Sequence, residues 1–416
     1  VYNEVTTWGL PPPRFDAVNT MPPPRRVIRK KSSRASPKRR AARGRPKKSI
    51  SRHTALLRTL RRAALARARR EKQERARAVL HQLVRHENNP IIESHGGQYW
   101  EMKATFNPGA VYADRRVHLL YRAIGGDDIS VLGYARSDDG VTIAERLDRP
   151  AFVPVGRKRP MSETPVAPVA YASGGGWNGG CEDPRLTLLD DTVYLMYTAF
   201  DGWGSIRIAL SSISLEDFLK KRWTWKEPAL ISPPGEIHKN WVLFPEKING
   251  KFAILHSISP RVEIEYFDSL EELENEKIVI RSHYDRLSRT GSWDSWIRGA
   301  GPPPIRTKLG WLLFYHAMDV RDPNRYKIGA MILDSKDPTN VLYRSRTPVL
   351  EPDMHYENSG FKSGVVYSCG AVVKDGELYV YYGGGDSVVC VAMAKLDAFL
   401  EELKRYGAPR LHDAIR

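Results

Sequence analysis

Five short apolar phrases, each ending in an aromatic residue or histidine, predict an all-β fold. We read it as a five-bladed β-propeller behind a basic, partly helical N-terminal extension. The phrases are Val117–Tyr121, Val193–Tyr197, Phe252–His256, Trp311–Tyr315 and Leu378–Tyr382. Their ends recur at intervals of 76, 59, 59 and 67 residues, as expected of a radial array of supersecondary units. Turn formers such as Asp190-Asp191, Asn249-Gly250 and Asp375-Gly376 precede most of them. A second apolar strand follows each, at 131–135, 206–210, 262–266, 326–331 and 388–393. A pair of β-sandwiches would not explain this recurring two-strand phrase.

Ahead of the repeat, the charge is lopsided. The 416 residues carry a net charge of +17, yet residues 1–88 hold 25 Lys/Arg and 5 Asp/Glu, a net of +20. The remaining 328 residues hold 40 basic and 43 acidic groups, a net of −3, so the basicity belongs to the extension and not to the body. Residues 1–52 are rich in Pro, Arg, Lys and Ser, with too few large apolar groups to offset ordering entropy, and are expected to be a disordered tail. Residues 53–88 space Leu56, Leu57, Leu60, Leu65, Val79, Leu80, Leu83 and Val84 at helical intervals among arginines, which predicts a basic amphipathic helix. Such an extension suits nucleic acid or an anionic surface as partner, and equally a solvated helix or a homo-oligomer contact. Residues 89–400 are expected to form the catalytic propeller, and 401–416 the end of a C-terminal helix and a tail.

Cys181, Cys369 and Cys390 are odd in number and widely spaced, which argues against a disulfide framework or zinc site and for a reducing, cytoplasmic setting. No apolar run reaches the ~18 residues of a membrane span, and no signal peptide is recognisable.

The segment Gly179-Gly180-Cys181-Glu182-Asp183-Pro184-Arg185 holds two carboxylates and a cation at the start of a strand. A carboxylate so placed serves as a general acid, a substrate clamp or a salt bridge, and for the segment alone the salt bridge is favoured. Propeller loops converge on one channel end, so polar residues at equivalent strand ends form a candidate set: Asn107, Arg122, Asp183, the trio His238-Lys239-Asn240, His256, Arg298, His316 and Asp386. Two carboxylates among several cations suit a sugar with an anion nearby. No metal-ligand spacing occurs, and no metal is expected.

The ordered motifs GGCEDPR, HKNWVLFPEKINGKFAILHS (238–257), GAGPPPI (299–305), Tyr315-His316, YENSG (356–360), VVYSCG (365–370) and YYGGGD (381–386) resemble glycoside hydrolase family 130. That family contains β-mannoside phosphorylases and a smaller set of β-mannosidases, on a five-bladed propeller; the resemblance runs from about Asn89 to about Leu400. It implies Asp183 as the general acid, acting through the 3-hydroxyl of the mannose. It further implies Asn107, Arg122 and Asp386 as groups holding the −1 mannose, and Tyr367 as an aromatic wall. Lys239, Ser257, Arg298, His316 and Tyr326 match the anion pocket of the phosphorylases, with inorganic phosphate as co-substrate and no other cofactor.

Two pocket positions depart from the phosphorylase pattern: Ser257 stands where Arg is usual, and Arg298 where Lys is usual. The hydrolases instead lose the cations and gain carboxylates there, which this chain does not. Losing one charge-assisted contact costs on the order of 1.5–3 kcal/mol, which weakens phosphate binding without abolishing it. Arg261 is a candidate to replace the lost charge, and Glu182 and Arg185 to orient Asp183. The expected function is therefore inverting phosphorolysis of non-reducing β-mannosides to α-mannose 1-phosphate, with phosphate held by Lys239, Arg298, His316 and Tyr326. A β-mannosidase using water and a non-catalytic carbohydrate- or protein-binding propeller are the alternatives. The segment 155–178 is the candidate for shaping the acceptor site.

Overall fold

A computed structural model of the chain describes residues 83–153, 179–200, 206–276, 278–282 and 292–407. The expected tail 1–52, the expected helix up to residue 82, the acceptor segment 155–178 and residues 408–416 lie outside the described residues.

Short left-handed turns create the strand pairs. Asp114 (φ 46°) and Arg115 (φ 60°) join the paired residues Ala113 and Arg116. Asn249 (φ 53°) and Gly250 (φ 82°) join Ile248 to Lys251, and Asp375 (φ 52°) and Gly376 (φ 80°) join Lys374 to Glu377. Positive φ at both central positions matches the twist of the flanking strands, which is why Asx and Gly fill all of these positions but Arg115.

The fold is mostly β. Strand β1 (Val84–Arg85) comes first. A meander of β2 (Ala104–Ala113), β3 (Arg116–Ile124), β4 (Ser130–Ser137) and β5 (Ile143–Arg146) follows. The second meander is β6 (Gly180–Leu189), β7 (Thr192–Phe200), β8 (Ile206–Ser214) and β9 (Ala229–Leu230), followed by the third, β10 (Val242–Leu243), β11 (Phe252–Ser257) and β12 (Glu263–Phe267). The fourth contains β13 (Trp296–Ala300), β14 (Ile305–Thr307), β15 (Gly310–Asp319), β16 (Asp322–Leu333) and β17 (Val341–Arg344). The fifth is β18 (Val366–Lys374), β19 (Glu377–Gly384) and β20 (Val388–Lys395). A single parallel bridge, Ser130 to Gly180, joins the first two meanders into one sheet.

Strand β1 corrects the sequence reading. Val84 and Arg85 are not helical but pair antiparallel with Met393 and Ala392 on β20, completing the fifth meander at its outer edge. Leu83, 2% exposed, is buried with Phe399, Leu400 and Leu403 of the C-terminal helix Leu396–Tyr406. An unpaired β20 edge and an apolar pocket for Leu83 outweigh local helical spacing, and neither is visible in a local window. The same helix begins at Leu396, so the expected boundary at 400 falls inside it.

Apolar clusters lie between consecutive meanders. Tyr134, Leu186 and Val193 pack between the first and second, and Ile208, Trp241 and Ile254 between the second and third. Leu255, Leu313 and Met331 join the third to the fourth, Phe314, Val380 and Tyr382 the fourth to the fifth, and Tyr121, Val372 and Tyr381 the fifth to the first.

The aromatic phrase ends have a physical reason. A buried Tyr hydroxyl needs a partner, and three of them find a carboxylate lying ahead of the first long strand of their own meander. Tyr121 donates to Glu101 at 2.8 Å, Tyr315 to Asp294 at 3.0 Å and Tyr382 to Glu357 at 2.8 Å. An arginine from the outermost strand neutralises each acid: Arg146 at 2.8 Å, Arg344 at 2.9 Å and Arg85 at 2.7 Å. Removing such an arginine strands a buried carboxylate, a loss of roughly 3–5 kcal/mol.

Candidate active site

The site grows from bulges in the first strands. On β2, Asn107 and Pro108 together face Tyr121 alone, and on β6 Asp183 and Pro184 together face Tyr197. The extra residue bends each strand and re-aims a side chain. Asn107 (φ 46°), Asp183 (φ 52°), Asn240 (φ 67°) and Asp386 (φ 51°) all adopt left-handed backbone. Such residues cost on the order of 1–3 kcal/mol each and persist only where surrounding bonds enforce them. Close backbone packing does so here: a Cβ at Gly109 would lie 2.6 Å from the Pro184 carbonyl oxygen, and one at Gly370 2.6 Å from the Ala110 nitrogen.

Arg122, fully buried, organises the acids. Its guanidinium donates to Glu182 Oε1 at 2.8 Å, to Asp183 Oδ1 at 3.2 Å and to Ser130 Oγ at 2.9 Å. Asn107 Nδ2 donates to the same Asp183 oxygen at 2.9 Å. Lys239 Nζ reaches Glu182 Oε2 at 3.4 Å, so Glu182 links the Arg122 cluster to the expected anion pocket. Arg185 touches the Asp183 carbonyl at 2.8 Å, not its carboxylate, and continues to Asn240 Oδ1 at 2.9 Å. It fixes the Asp183 backbone.

Burial alone would raise both acids, but they part company. Burial pushes Glu182 up to about 7 against Arg122 and Lys239. For Asp183 the fields of Arg122, Lys239 and Arg185, with the Asn107 hydrogen bond, outweigh burial and hold it at about 2. Burial also raises Asp386 to about 6, opposed first by Lys362 and then by Arg122.

On the other side, Lys239, His256, Ser257 and Arg298 line one cavity. Arg298 Nε donates to the Tyr326 hydroxyl at 3.0 Å, and its carbonyl accepts from Asn240 Nδ2 at 2.7 Å. Tyr367 hydrogen-bonds Asn240 through its hydroxyl and stacks on His316 with 3.9 Å between ring centres. His316 is fully buried and lines no part of that cavity. Burial holds its imidazole down to about 3, and its Nε2 accepts the Ser368 N–H at 3.0 Å. It is therefore neutral, with the proton on Nδ1, which lacks a partner among the described residues.

In that cavity Ser257 Oγ donates to the Ser259 carbonyl at 3.2 Å. One expectation changes. Arg261 does not replace the missing cation: it sits in the bend ahead of β12, its side chain is 77% exposed and it pairs with Glu263 at 2.9 Å. Asn240, which ties Arg185, Tyr367 and Arg298 together, was legible only as the end of a polar trio. Lys362, whose ammonium lies 4.5 Å from the Tyr326 ring centre, carried no sequence signal.

Residues 82–405 match the family model described as beta-1,4-mannooligosaccharide phosphorylase. The chain belongs to glycoside hydrolase family 130. Within this family it is similar to a 1,2-beta-oligomannan phosphorylase of Thermoanaerobacter sp., 37% identical over 324 residues that cover 76% of this chain and 97% of the relative. A beta-1,2-mannobiose phosphorylase of the same organism is 34% identical, covering 75% of this chain and 96% of the relative. Among solved structures, the beta-1,2-mannobiose phosphorylase of Listeria innocua in complex with beta-1,2-mannobiose superimposes with a TM-score of 0.58 at 25% identity, covering 78% of this chain and 99% of that one. A glycosyl hydrolase from Bacteroides ovatus gives 0.60 at 26% identity, covering 76% and 94%. The family match begins at residue 82, earlier than the expected Asn89, and so includes strand β1.

Proposed function

We propose that this chain is an inverting β-mannoside phosphorylase. The observation that carries the reading is a cavity lined by Lys239 and Arg298 directly beside the Glu182–Arg122–Asp183 cluster, so that an anion and a general acid meet at one sugar. The mannosyl unit rests on Asn107, Arg122, Asp386 and Tyr367. Phosphate is held by Lys239, Arg298 and Tyr326, and the neutral His316, stacked behind Tyr367, backs the aromatic wall and does not touch the anion. A phosphate oxygen forms the new bond to the anomeric carbon as the glycosidic C–O bond breaks on the opposite face. The Asp183 proton ends on the departing hydroxyl, and α-mannose 1-phosphate leaves.

Asp183 is ionised in the unliganded site, so its acidic form belongs to the loaded enzyme. Incoming phosphate brings negative charge against Lys239 and Arg298 and weakens the field that holds Asp183 down. Glu182, next to neutrality and already bonded to Arg122, is the nearest store of a proton.

Hydrolysis is the second reading. Glu263 stands across from Ser257 in the β11–β12 register, but its carboxylate is engaged by Arg261. Phosphate dependence separates the two: turnover of β-1,2-mannobiose that requires phosphate and yields mannose 1-phosphate supports phosphorolysis, and free mannose at a phosphate-independent rate overturns it. The relatives' names favour β-1,2 linkages and the family description a β-1,4 linkage, so both disaccharides belong in the assay.

The same reading takes the five meanders as blades of a five-bladed propeller. Its support is the cyclic order of the core clusters, in which the fifth meander packs on the first, and the closure of the fifth by β1. No helix among the described residues is long and apolar enough to cross a membrane. Reaction with free phosphate and three buried free thiols fit a cytoplasmic enzyme.

A further inference from the structure

Of the three Tyr–carboxylate–Arg clasps, the one in the fifth meander is wired into the site. Glu357 is fully buried and its carboxylate is saturated. Arg85 Nε and Nη2 donate at 2.7 and 2.9 Å, the Tyr382 hydroxyl at 2.8 Å, and the N–H groups of Asp353 and Met354 at 2.7 and 3.0 Å. Its own carbonyl accepts from the N–H groups of Gly364 and Val365 at 3.0 and 3.1 Å, closing a loop. That loop then bonds both halves of the site. The Gly364 carbonyl accepts the Tyr326 N–H at 2.9 Å, and the Val365 carbonyl accepts the Gly385 N–H at 3.0 Å. The Lys362 N–H returns to the Gly385 carbonyl at 3.0 Å. Tyr326 is the hydroxyl partner of Arg298, and Gly385 immediately precedes Asp386.

We propose that Glu357, held by Arg85 of strand β1, is a positioning residue that sets the spacing between the anion pocket and the sugar-holding turn. Strand β1 is then a working part of the site and not only a closing edge. Among the described residues, the equivalent clasp of Glu101, Tyr121 and Arg146 makes no bond of this kind to Tyr326 or to the Asp386 turn, and so serves as an internal control. The inference rests on the phosphorylase reading for its two substrates.

The test compares Arg85→Gln, Glu357→Gln and Arg146→Gln in the full chain, by denaturant unfolding and by the KM for phosphate and for β-1,2-mannobiose. All three lose stability, but only the first two raise both KM values, by roughly tenfold or more. Arg85→Lys, which keeps the charge without the fork, recovers part of the loss. Folded Arg85→Gln enzyme with both KM values within about twofold of wild type, against the tenfold expected, overturns the proposal. Should both fifth-meander variants fail to fold, Tyr382→Phe removes one donor only, and unchanged KM values in it overturn the proposal equally. If wild-type turnover ignores phosphate, phosphorolysis fails, while the clasp is still judged by the mannobiose KM alone.

Discussion

The two halves of the site are built differently. On the sugar side, Asn107, Arg122, Glu182 and Asp183 are 0–3% exposed and bonded to one another, on bulged strands pressed together by glycines. On the anion side, Lys239 keeps 15% of its side chain exposed and touches Glu182 only at 3.4 Å, while Ser257 offers no charge. A buried, mutually bonded cluster can hold a fixed hydroxyl pattern, whereas an anion pocket needs positive charge left over for its ligand. Under the proposed phosphorylase reading, the contrast teaches that sugar recognition is preorganised and that phosphate affinity is the adjustable quantity.

Substitutions sharpen or break that contrast. Asp183→Asn removes the acid and should lower kcat by about 10²–10⁴-fold with little change in phosphate KM, measured by mannose 1-phosphate release. Arg298→Met should raise phosphate KM by the loss of a charge-assisted contact, about 1.5–3 kcal/mol or roughly 10–150-fold, leaving the mannobiose KM nearly unchanged. Ser257→Arg should move the other way, lowering phosphate KM by about tenfold; an unchanged value would place that residue outside the anion's reach.

The pH profile probes the link between the halves. Glu182 is raised to about 7, so it is protonated below that pH and adds a negative charge to the site above it. At saturating phosphate, kcat/KM for mannobiose should therefore fall above about pH 7, and Glu182→Gln should flatten that limb. Phosphate titrates identically in both enzymes, so the difference between the profiles reports Glu182. The smallest effect on catalysis is expected at the fourth-meander clasp: Tyr315→Phe loses the buried hydrogen bond to the Asp294 carboxylate and about 1.5–3 kcal/mol of stability in a denaturation experiment, with kcat untouched.

Much of the fold was legible because local chemistry specifies it. Asn249-Gly250 and Asp375-Gly376 demand left-handed turns, and five apolar phrases flanked by such turns make antiparallel strands wherever they are placed. Leu83 and Val84 were misread because a helical spacing and an edge strand look alike over so few residues, and only β20 distinguishes them. In the site, the motif residues Asn107, Arg122, Asp183 and Tyr367 were nameable, but Asn240 as the link between Arg185, Tyr367 and Arg298, and Lys362 beside Tyr326, were not, since each contact spans dozens of residues.

What the sequence by itself determined is the strand-and-turn grammar, the separation of the basic extension from a near-neutral body, and the family to which the motifs belong. Only the tertiary structure decided the balance between Glu182 and Asp183. Adjacent carboxylates share the same neighbourhood in sequence, and their unequal acidity comes from where Arg122, Asn107, Arg185 and Lys239 converge. It also decided that Arg261 faces solvent and that Arg85 reaches Glu357 across the fold. Electrostatic fields fall with distance in space, and chain separation does not report that distance.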